Sequence, residues 1–474
     1  MDTYFTEYES AYYVAKQRNK SGIFNDLDIC YYNGEKQDDG ELENLIHLPL
    51  ENIYDYFSET PNRHPTNFIS GIEDEKLKSD IFEFLTVSQT LAWEEKVKIC
   101  NQYKEEVAKL EPDFSEPLRI LFITTRITTV LQFATRNIEE VFRKMGYETF
   151  ISIESNEMQS WGANDSRNNA NFAWHLRNIL NFNPHIIFNI DWVNNEFLND
   201  KIFNFTWYQD PMPILFNGEE IKKRDRDYFF YILDSIGEAI EKKGIAKDQF
   251  FWQPFCTNSD LFFRRDEIEK EEKIVFLGGD YKGEKNLPHE EEVISLLVEM
   301  LNDGTLSNER LREISEKYDM DYDYLDHELL TTIARRETVK WICMQDKYPV
   351  EIYGTDAWLE TPEVAKYYKG LLPYGEEMAK VYNSAKYALV AHHHYMYQQR
   401  LFEISACGAI PIVYDSGVTQ ESFAHLDNVL VFHTHKEFEE CIGKVPKSNP
   451  EQIAKDLSFE TFANKIIDIV KNNA

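Results

Sequence analysis

The sequence is poor in positive charge. Its 474 residues include 50 lysines and arginines against 83 aspartates and glutamates, which gives a formal net charge of −33. Nucleic acids and anionic membrane surfaces bind proteins through basic surfaces. The charge balance therefore argues against a general affinity for either, although an acidic chain can still contain a locally basic cleft.

The sequence also lacks the segments that direct a chain into or across a membrane. Its first residues, MDTYFTEYESAYYVAKQ, do not join a basic stretch to an apolar one, and no later run approaches the roughly 20 apolar residues of a membrane span. We therefore expect no membrane span and a cytoplasmic location.

Paired cysteines are absent as well. No C-x2-C pair occurs, which is typical of reduced, mostly buried thiols and argues against a disulfide framework or a zinc site. The six cysteines are Cys30, Cys100, Cys256, Cys343, Cys407 and Cys441.

The composition predicts packed cores, because 43% of the residues are hydrophobic. The length predicts two or three domains of ordinary size. We divide the chain into an accessory region (1–115), a first α/β domain (116–262), a second α/β domain (263–455) and a C-terminal helix (456–474). The helix is suited to packing back across the two α/β domains.

The first of these regions carries no catalytic motif. Apolar residues at helical spacing, such as Ile81, Phe82, Phe84 and Leu85, predict that residues 1–115 are mostly helical. The region could recognise another molecule or form a homo-oligomer. The alternative is a helical extension with an acidic, solvated face.

The most informative stretch is YALVAHHHYMYQQRLFEISACGAIPIVYDSG, residues 387–417. Two short apolar runs flank a helix-length segment, which is the pattern of a βαβ unit. Gly408 suits the left-handed end of that helix, and Pro411 prevents its continuation. The helix therefore begins near residues 397–399, at the carboxyl end of a strand, where open α/β sheets bind ligands and helical N–H groups favour an anion.

Arg400 and Glu403 are three residues apart at the start of this helix and therefore share one face. A guanidinium there suits a pyrophosphate, and a carboxylate suits the two hydroxyl donors of a ribose. Together they indicate a site for a nucleoside diphosphate. The alternative is an exposed ion pair, which contributes roughly 0.2–0.5 kcal/mol.

The segment RLFEISACGAIPIVYDSG resembles the C-terminal signature of GT-B glycosyltransferases, in which a Glu early in a helix precedes a small-Cys-Gly-small-Pro segment and a strand. Its Arg-x-Phe-Glu form is similar to the spore-maturation CgeB-like and flagellin-modifying branch of that superfamily. The resemblance extends over about residues 117–474. It implies an α/β fold in which two Rossmann-like, doubly wound domains face each other across a cleft.

The resemblance also implies an activity. A hexosyltransferase of this type moves a sugar from a nucleoside diphosphate sugar to an acceptor, which the relatives suggest is a protein or a surface glycan, without a tightly bound cofactor or metal. Retaining members often carry another Glu at the start of an E-x7-E pattern, where this sequence has Tyr395. The stereochemistry, the sugar and the nucleotide therefore stay open.

By the same resemblance, Glu403 holds the donor ribose and Arg400 the diphosphate, and Tyr374 stacks on the base. Gly278 and Gly279, which follow the strand pattern KIVFL, let the backbone approach a phosphate closely. The other expected donor contacts are Gly370, Leu371, Leu372, Tyr397, Gln398 and Gln399.

The first α/β domain begins with the strand pattern LRILFIT, a loop, an amphipathic helix and a second strand, as doubly wound domains do. In GT-B enzymes this half binds the acceptor. The loop after the first strand therefore offers three candidate contacts to an acceptor or a phosphate, which are Arg126, Thr128 and Thr129. The alternative is that this loop is only solvated.

Asp191 and Asp210 follow two further predicted strands, HIIFNI and IFNFTWY. The carboxyl ends of parallel strands are where a general base is expected, and an inverting transfer needs a base that takes the acceptor proton. We rank Asp210 first and Asp191 second among the catalytic candidates. The alternative is that each caps the following turn.

The second α/β domain contains a charged, helical insert at about residues 284–345. Its segment DMDYDYLD imitates the Asp-x-Asp metal motif of GT-A enzymes, but no strand precedes it, and we interpret it as solvated surface. Arg335 and Arg336, later in the insert, are further candidates for a contact to a phosphate, although no motif surrounds them.

Two other functions fit the same patterns. A nucleotide-sugar epimerase or hydrolase of GT-B fold would consume the donor without an acceptor. A non-catalytic scaffold that binds a nucleotide sugar or a protein would bind without turnover.

Overall fold

The computed structural model describes residues 4–18, 30–37, 42, 44–59, 68–69, 72–125, 129–153, 172–281, 284–393, 395, 397–417 and 426–473. The chain divides into two compact units. The first comprises residues 1–252 and 467–474, and the second comprises residues 253–466. Each unit contains a six-stranded parallel sheet.

The division after Trp252 lies ten residues before the boundary placed at residue 262 from the sequence. The intervening segment is bound to the second unit. The Thr257 amide donates to the Leu457 carbonyl at 3.1 Å, and the Phe262 ring packs 5.6 Å from that of Tyr374. The segment therefore belongs with the residues that it contacts.

The N-terminal part of the first unit contains a small parallel sheet in the order β3-β2-β1-β4. Its strands are β1 Tyr4–Thr6, β2 Cys30–Tyr32, β3 Leu45–His47 and β4 Phe68–Ile69. Its helices are α1 Tyr8–Arg18, α2 Ile53–Glu59 and α3 Glu75–Val107.

The mostly helical prediction for this part omitted the sheet. Strands of two or three residues are too short to show a repeating alternation of apolar and polar residues, so periodicity does not reveal them. Phe5, Tyr31, Phe57 and Ile81 pack together as a core between the sheet and the helices.

The second sheet has the order β10-β9-β8-β7-β5-β6. Its strands are β5 Arg119–Ile123, β6 Glu148–Ser152, β7 Ile186–Ile190, β8 Phe203–Tyr208, β9 Asp227–Tyr231 and β10 Phe250–Trp252. Its helices are α4 Thr129–Lys144, α5 Ala173–Phe182, α6 Pro213–Phe216 and α7 Asp234–Lys242. Every residue of β7 and β8 is buried, as expected for central strands that are covered on both faces.

The third sheet has the order β13-β12-β11-β14-β15-β16. Its strands are β11 Glu271–Leu277, β12 Val350–Tyr353, β13 Tyr368–Gly370, β14 Ala385–Val390, β15 Ile410–Tyr414 and β16 Leu430–Phe432. The helices after β11 are α8 Glu290–Asp303, α9 Asn308–Tyr318, α10 Thr331–Met344, α11 Pro362–Ala365, α12 Glu376–Ser384, α13 Gln399–Ala406, α14 His435–Cys441, α15 Glu451–Asp456 and α16 Phe459–Asn473. The α/β prediction of two Rossmann-like sheets is confirmed.

Helices α8 to α10 occupy the range in which a helical insert was predicted. Leu297, Leu329 and Trp341 from this range belong to the same core as Phe276 of β11 and Leu389 of β14. The range is therefore an integral layer on the sheet.

The interpretation of DMDYDYLD as solvated surface is wrong for one aspartate. A π-helix, Tyr324–Leu330, turns Asp326 into the interior. There its Oδ1 lies 2.9 Å from Nε2 of the buried His393. Asp319, Asp321 and Asp323 are exposed, as expected.

The six cysteines carry free thiols, and all except Cys441 are buried. No helix in the part of the chain described above is both long enough and apolar enough to cross a membrane.

Candidate functional site

The strand order of the third sheet reverses between β11 and β14. From β11 the chain continues to β12 and β13 on one side, and β14 leads to β15 and β16 on the other. Open α/β sheets bind ligands at the carboxyl ends of their strands beside such a reversal. Gly278 follows β11, and the start of α13 follows β14, so the topology brings the two predicted motifs together.

Two arginines converge on Gly278. If this residue had a Cβ atom, Nη1 of Arg335 and Nη1 of Arg400 would each lie 3.2 Å from it. The two guanidiniums also lie over the Phe276 ring, at 6.0 and 5.8 Å from its centroid. Arg335 Nη1 donates to the Gly279 carbonyl at 3.2 Å. The missing side chain at Gly278 therefore makes room for two cations.

The electrostatics of this pair favour a bound anion. Arg335 is only 2% exposed, and burial lowers its pKa to about 10, with the charge of Arg400 acting in the same direction. The Nε atoms of both arginines are buried without a hydrogen-bond partner among the residues that the structure describes. An anion would satisfy unpaired donors and separate two like charges with an opposite one.

The neighbouring arginine is engaged elsewhere. Arg336 donates from Nε to Asp280 at 2.7 Å and from Nη1 to Glu284. Successive helical residues point about 100° apart, so α10 directs Arg335 and Arg336 to different surroundings. The sequence does not separate these two residues, and Arg335 was not among the predicted donor contacts.

Glu403 is buried below the start of α13. It is 3% exposed, and its Oε1 accepts a hydrogen bond at 2.8 Å from Gln399 Nε2, which also lies 2.9 Å from the Tyr374 hydroxyl. Burial raises the pKa of Glu403 to about 7, while Arg400 and the bonds from Gln399 and Tyr374 lower it. This burial excludes the exposed ion pair that was the alternative for Arg400 and Glu403.

The residues predicted to line a base slot lie two strands from β11 in the sheet. Gly370 ends β13 with a φ of +105°, and a Cβ atom there would meet nothing within 4 Å. Leu371 is 74% exposed and Leu372 is partly buried. A large exposed apolar side chain at this position is compatible with a contact to a planar base.

The residues before α13 differ from one another. Tyr397 is buried, with its ring 6.2 Å from those of Tyr395 and Phe402, so it belongs to the core. Gln398 is partly exposed and its carbonyl accepts the Leu401 amide at 2.8 Å, at the start of the helix.

The loop at Gly278 is held by the loop after β12. The Trp358 Nε1 donates to the Gly278 carbonyl at 2.8 Å, and the Gly278 amide donates to the Tyr353 carbonyl at 2.8 Å. A Cβ atom on Gly354 would lie 2.1 Å from the Gly278 oxygen. Only glycine permits this approach, so Gly354 helps to fix the position of Gly278.

In the first unit, the structure brings Asp191 and Asp210 together. Asp191 is 2% exposed, has a left-handed φ of +63°, and accepts the amides of Gln209 and Asp210 at 2.6 and 3.0 Å. Burial raises its pKa to about 7, and the negative charge of Asp210 acts in the same direction. Asp191 thus shapes the turn after β8, while Asp210 is exposed beside it.

Arg126 and Thr128 lie outside the described residues. Thr129 begins α4, and its side chain is also outside them.

Residues 331–458 match the family model of glycosyl transferase-like proteins. This glycosyl transferase-like segment includes Arg335, Arg400 and Glu403, and it supports the resemblance to GT-B glycosyltransferases. The CgeB-like branch stays a prediction. No curated protein matches the sequence.

Solved structures of glycosyltransferases are among those with similarity to the chain. Sucrose-phosphate synthase from Thermosynechococcus elongatus has a TM-score of 0.48 at 11% identity, covering 75% of this chain and 98% of its own. HepE from Anabaena, in complex with UDP and glucose, has a TM-score of 0.44 at 9% identity, covering 75% and 100%. The lipopolysaccharide glycosyltransferase WaaG has a TM-score of 0.43 at 12% identity, covering 74% and 99%.

Within the described ranges, no group of three or more His, Cys, Asp or Glu side chains is placed to hold a metal ion. The charged side chains that approach Gly278 at the end of β11 are those of Arg335 and Arg400.

Gly354→Ala should destabilise the protein by about 1–3 kcal/mol, because the added methyl group meets the Gly278 carbonyl and forces two loops apart. Chemical denaturation measures the change. Gly218→Ala is the control, since a Cβ atom there meets nothing within 4 Å. Equal stability of the two variants would contradict the close approach of the loops.

Proposed function

We propose that this chain is a glycosyltransferase that moves a sugar from a nucleoside diphosphate sugar to an acceptor. The observation that carries the proposal is the convergence of Arg335 and Arg400 on Gly278, within a segment that matches the glycosyl transferase-like family model. This geometry lies at the strand-order reversal, where α/β sheets bind ligands.

In this proposal the two guanidiniums hold the donor diphosphate. The bond between the anomeric carbon and the diphosphate oxygen breaks, its electron pair goes to that oxygen, and the acceptor oxygen forms a new bond to the anomeric carbon. Arg335 and Arg400 stabilise the negative charge that develops on the leaving diphosphate. They supply positive charge of the kind that a metal ion supplies in other enzymes, and we propose that transfer proceeds without a tightly bound metal.

Glu403 holds the donor ribose. An ionised carboxylate accepts hydrogen bonds from two hydroxyl groups, and Gln399 already fixes the orientation of Glu403 by a bond at 2.8 Å. The pKa near 7 means that ribose binding and deprotonation of this side chain are linked.

Asp210 is the proposed general base. Asp210 is exposed, whereas the carboxylate of Asp191 accepts hydrogen bonds from two backbone amides. Asp210 takes the acceptor proton as the new bond forms, and Asp191 positions the turn that carries it.

Arg335→Ala and Arg400→Ala should each weaken donor binding by about one to two orders of magnitude, since each removes one charged partner of the diphosphate. Thermal-shift and calorimetric titration with UDP-, GDP-, CDP- and dTDP-sugars measure the loss. Arg312→Ala, an exposed arginine of α9, is the charge-matched control. Unchanged donor affinity in the Arg335 variant would exclude that side chain from the site.

The affinity for a nucleotide sugar should rise with pH through about 7, because ribose hydroxyls donate to the ionised form of Glu403. Its contribution to stability has the opposite sign. A pKa raised from 4.5 to about 7 means that the folded chain retains a proton that the unfolded chain releases, so stability falls as pH rises through this interval.

Glu403→Gln should flatten the pH profile of the affinity and reduce the slope of the stability profile, to which the buried Asp191 still contributes. Calorimetry and denaturation measured from pH 5 to pH 8 would reveal both changes. A pH-dependent affinity that persists unchanged in this variant would assign the titration to another group.

Asp210→Asn should lower kcat by about two to four orders of magnitude and leave donor binding intact, because the amide cannot take the acceptor proton. Mass spectrometry of products with donor and acceptor present measures transfer. Asp248→Asn is the control at another exposed aspartate of the same unit. Donor consumption without any acceptor would favour an epimerase or a hydrolase.

A further inference from the structure

The loop that follows β11 carries an aromatic residue next to the two glycines of the proposed donor site. Tyr281 lies three residues after Gly278, and the Cζ atom of Arg335 lies over its ring, 3.7 Å from the centroid. The other ring that Arg335 contacts, that of Phe276, is 6.0 Å away. Tyr281 is therefore the closer aromatic partner of this cation.

The stacking of Tyr281 on Arg335 takes place where little water reaches the cation. Arg335 is 2% exposed, whereas Tyr281 is 44% exposed, so the ring forms part of the cover over the guanidinium. A planar guanidinium stacks well on an aromatic face, and the attraction is strongest when the cation is desolvated. The ring therefore compensates in part for the burial of a charge whose Nη1 donates to an uncharged partner, the Gly279 carbonyl.

The same contact fixes the direction of the Arg335 side chain. An arginine side chain has many rotamers, and ordering it at the moment of ligand binding weakens the affinity. Here its Nη1 is already held 3.2 Å from the position that a Cβ atom of Gly278 would occupy. The ordering therefore precedes the arrival of an anion.

The loop that carries Tyr281 is fixed by the neighbouring arginine. Arg336 donates from Nε to Asp280 at 2.7 Å, from Nη1 to Glu284, and from Nη2 to the Tyr281 carbonyl at 3.3 Å. These contacts lie on both sides of the tyrosine and at its own backbone. Because Arg335 and Arg336 are consecutive in α10, the helix that supplies the cation also holds the loop that supplies the ring.

The π-helix holds the far end of this loop. The Lys285 amide donates to the Tyr324 hydroxyl at 3.1 Å, and Lys285 Nζ forms an ion pair with Glu328 at 2.8 Å. The segment after Gly279 is thus attached to α10 and to the π-helix, which limits the positions that the Tyr281 ring can take.

The position of Tyr281 favours a contact to the cation over a contact to the base. One face of its ring is occupied by Arg335. The residues expected to line the base slot, 370–372, lie at the end of β13, which β12 separates from β11. The ring therefore lies with the group that would bind the diphosphate.

We propose that Tyr281 is a positioning residue for Arg335: its ring stacks on the guanidinium and keeps it directed at the donor diphosphate. This assignment rests on the proposed function, in which Arg335 binds that diphosphate. Tyr281 acts through Arg335 and does not itself contact the ligand. Two expectations follow: the aromatic ring matters and its hydroxyl does not, and the effect of the ring requires Arg335.

The first test is calorimetric titration of the full chain with inorganic pyrophosphate, which contains neither base nor ribose. Tyr281→Ala should weaken binding by about threefold to thirtyfold, whereas Tyr281→Phe, which keeps the ring, should stay within about twofold of the unmodified chain. Tyr13→Ala, at a tyrosine of α1 that is 64% exposed, is the matched control. Equal affinities of Tyr281→Ala and the unmodified chain, an equal loss in Tyr281→Phe, or no binding of pyrophosphate to the unmodified chain would overturn the proposal.

The second test is a double-mutant cycle with Arg335→Ala, measured with the tightest binder among UDP, GDP, CDP and dTDP. In the Arg335→Ala background, Tyr281→Ala should change the affinity by less than about twofold, because the side chain through which Tyr281 acts is absent. Additive losses would show that the ring contacts the ligand directly and would overturn the proposal. A loss of nucleoside diphosphate affinity with unchanged pyrophosphate affinity would assign the ring to the base and would overturn it as well.

Sugar-transfer assays on the same variants keep the two proposals distinguishable. Pyrophosphate binding that depends on the Tyr281 ring, without transfer from any nucleotide sugar, would contradict the glycosyltransferase proposal and leave the role of Tyr281 toward Arg335 in place. Sugar transfer combined with unchanged pyrophosphate affinity in Tyr281→Ala would contradict the role of Tyr281 alone.

Discussion

Two guanidiniums held over one glycine are the constraint on which the rest of the second unit depends. Arg335 and Arg400 come from different helices and meet at the end of β11 because Gly278 has no side chain. Like charges in partial burial repel each other, so the fold must hold them by packing: the Phe276 ring lies below both, and Trp358 and Gly354 fix the loop. Holding the two like charges together lowers the stability of the folded chain modestly, and a bound anion would offset this loss.

Glu403 is a second charged group that the fold holds in a buried position. A carboxyl buried near a cationic pair is poised between its two protonation states, and Gln399 and Tyr374 keep it oriented in the absence of ligand. The helix α13 therefore presents a guanidinium in its first turn and a carboxyl group one turn deeper. In the proposed function these two groups hold the diphosphate and the ribose, in the order in which the two are connected in a nucleotide sugar.

Part of this site was predictable from the sequence and part was not. Arg400 and Glu403 stand in one short motif, and the strand and glycine patterns locate Gly278 at a strand end, so local spacing predicts their proximity. Arg335 lies far from both in sequence, and its approach depends on how α10 packs on β11. No local pattern distinguishes it from Arg336. The burial of Tyr397 and the inward turn of Asp326 are likewise tertiary effects, the latter produced by a π-helix that single-sequence periodicity does not reveal.

The long crossover between Leu277 and Val350 also has a bearing on how the protein forms. Most successive strands of the third sheet are joined by short connections, but β11 and β12 are separated by α8, α9 and α10, and Arg335 lies on the last of these. Contacts between residues distant in sequence form slowly, because closing a large loop reduces chain entropy before the contacts compensate for it. Closing this crossover is required both for β12 to pair with β11 and for Arg335 to reach Gly278, so the guanidinium pair should form together with this strand pairing during folding.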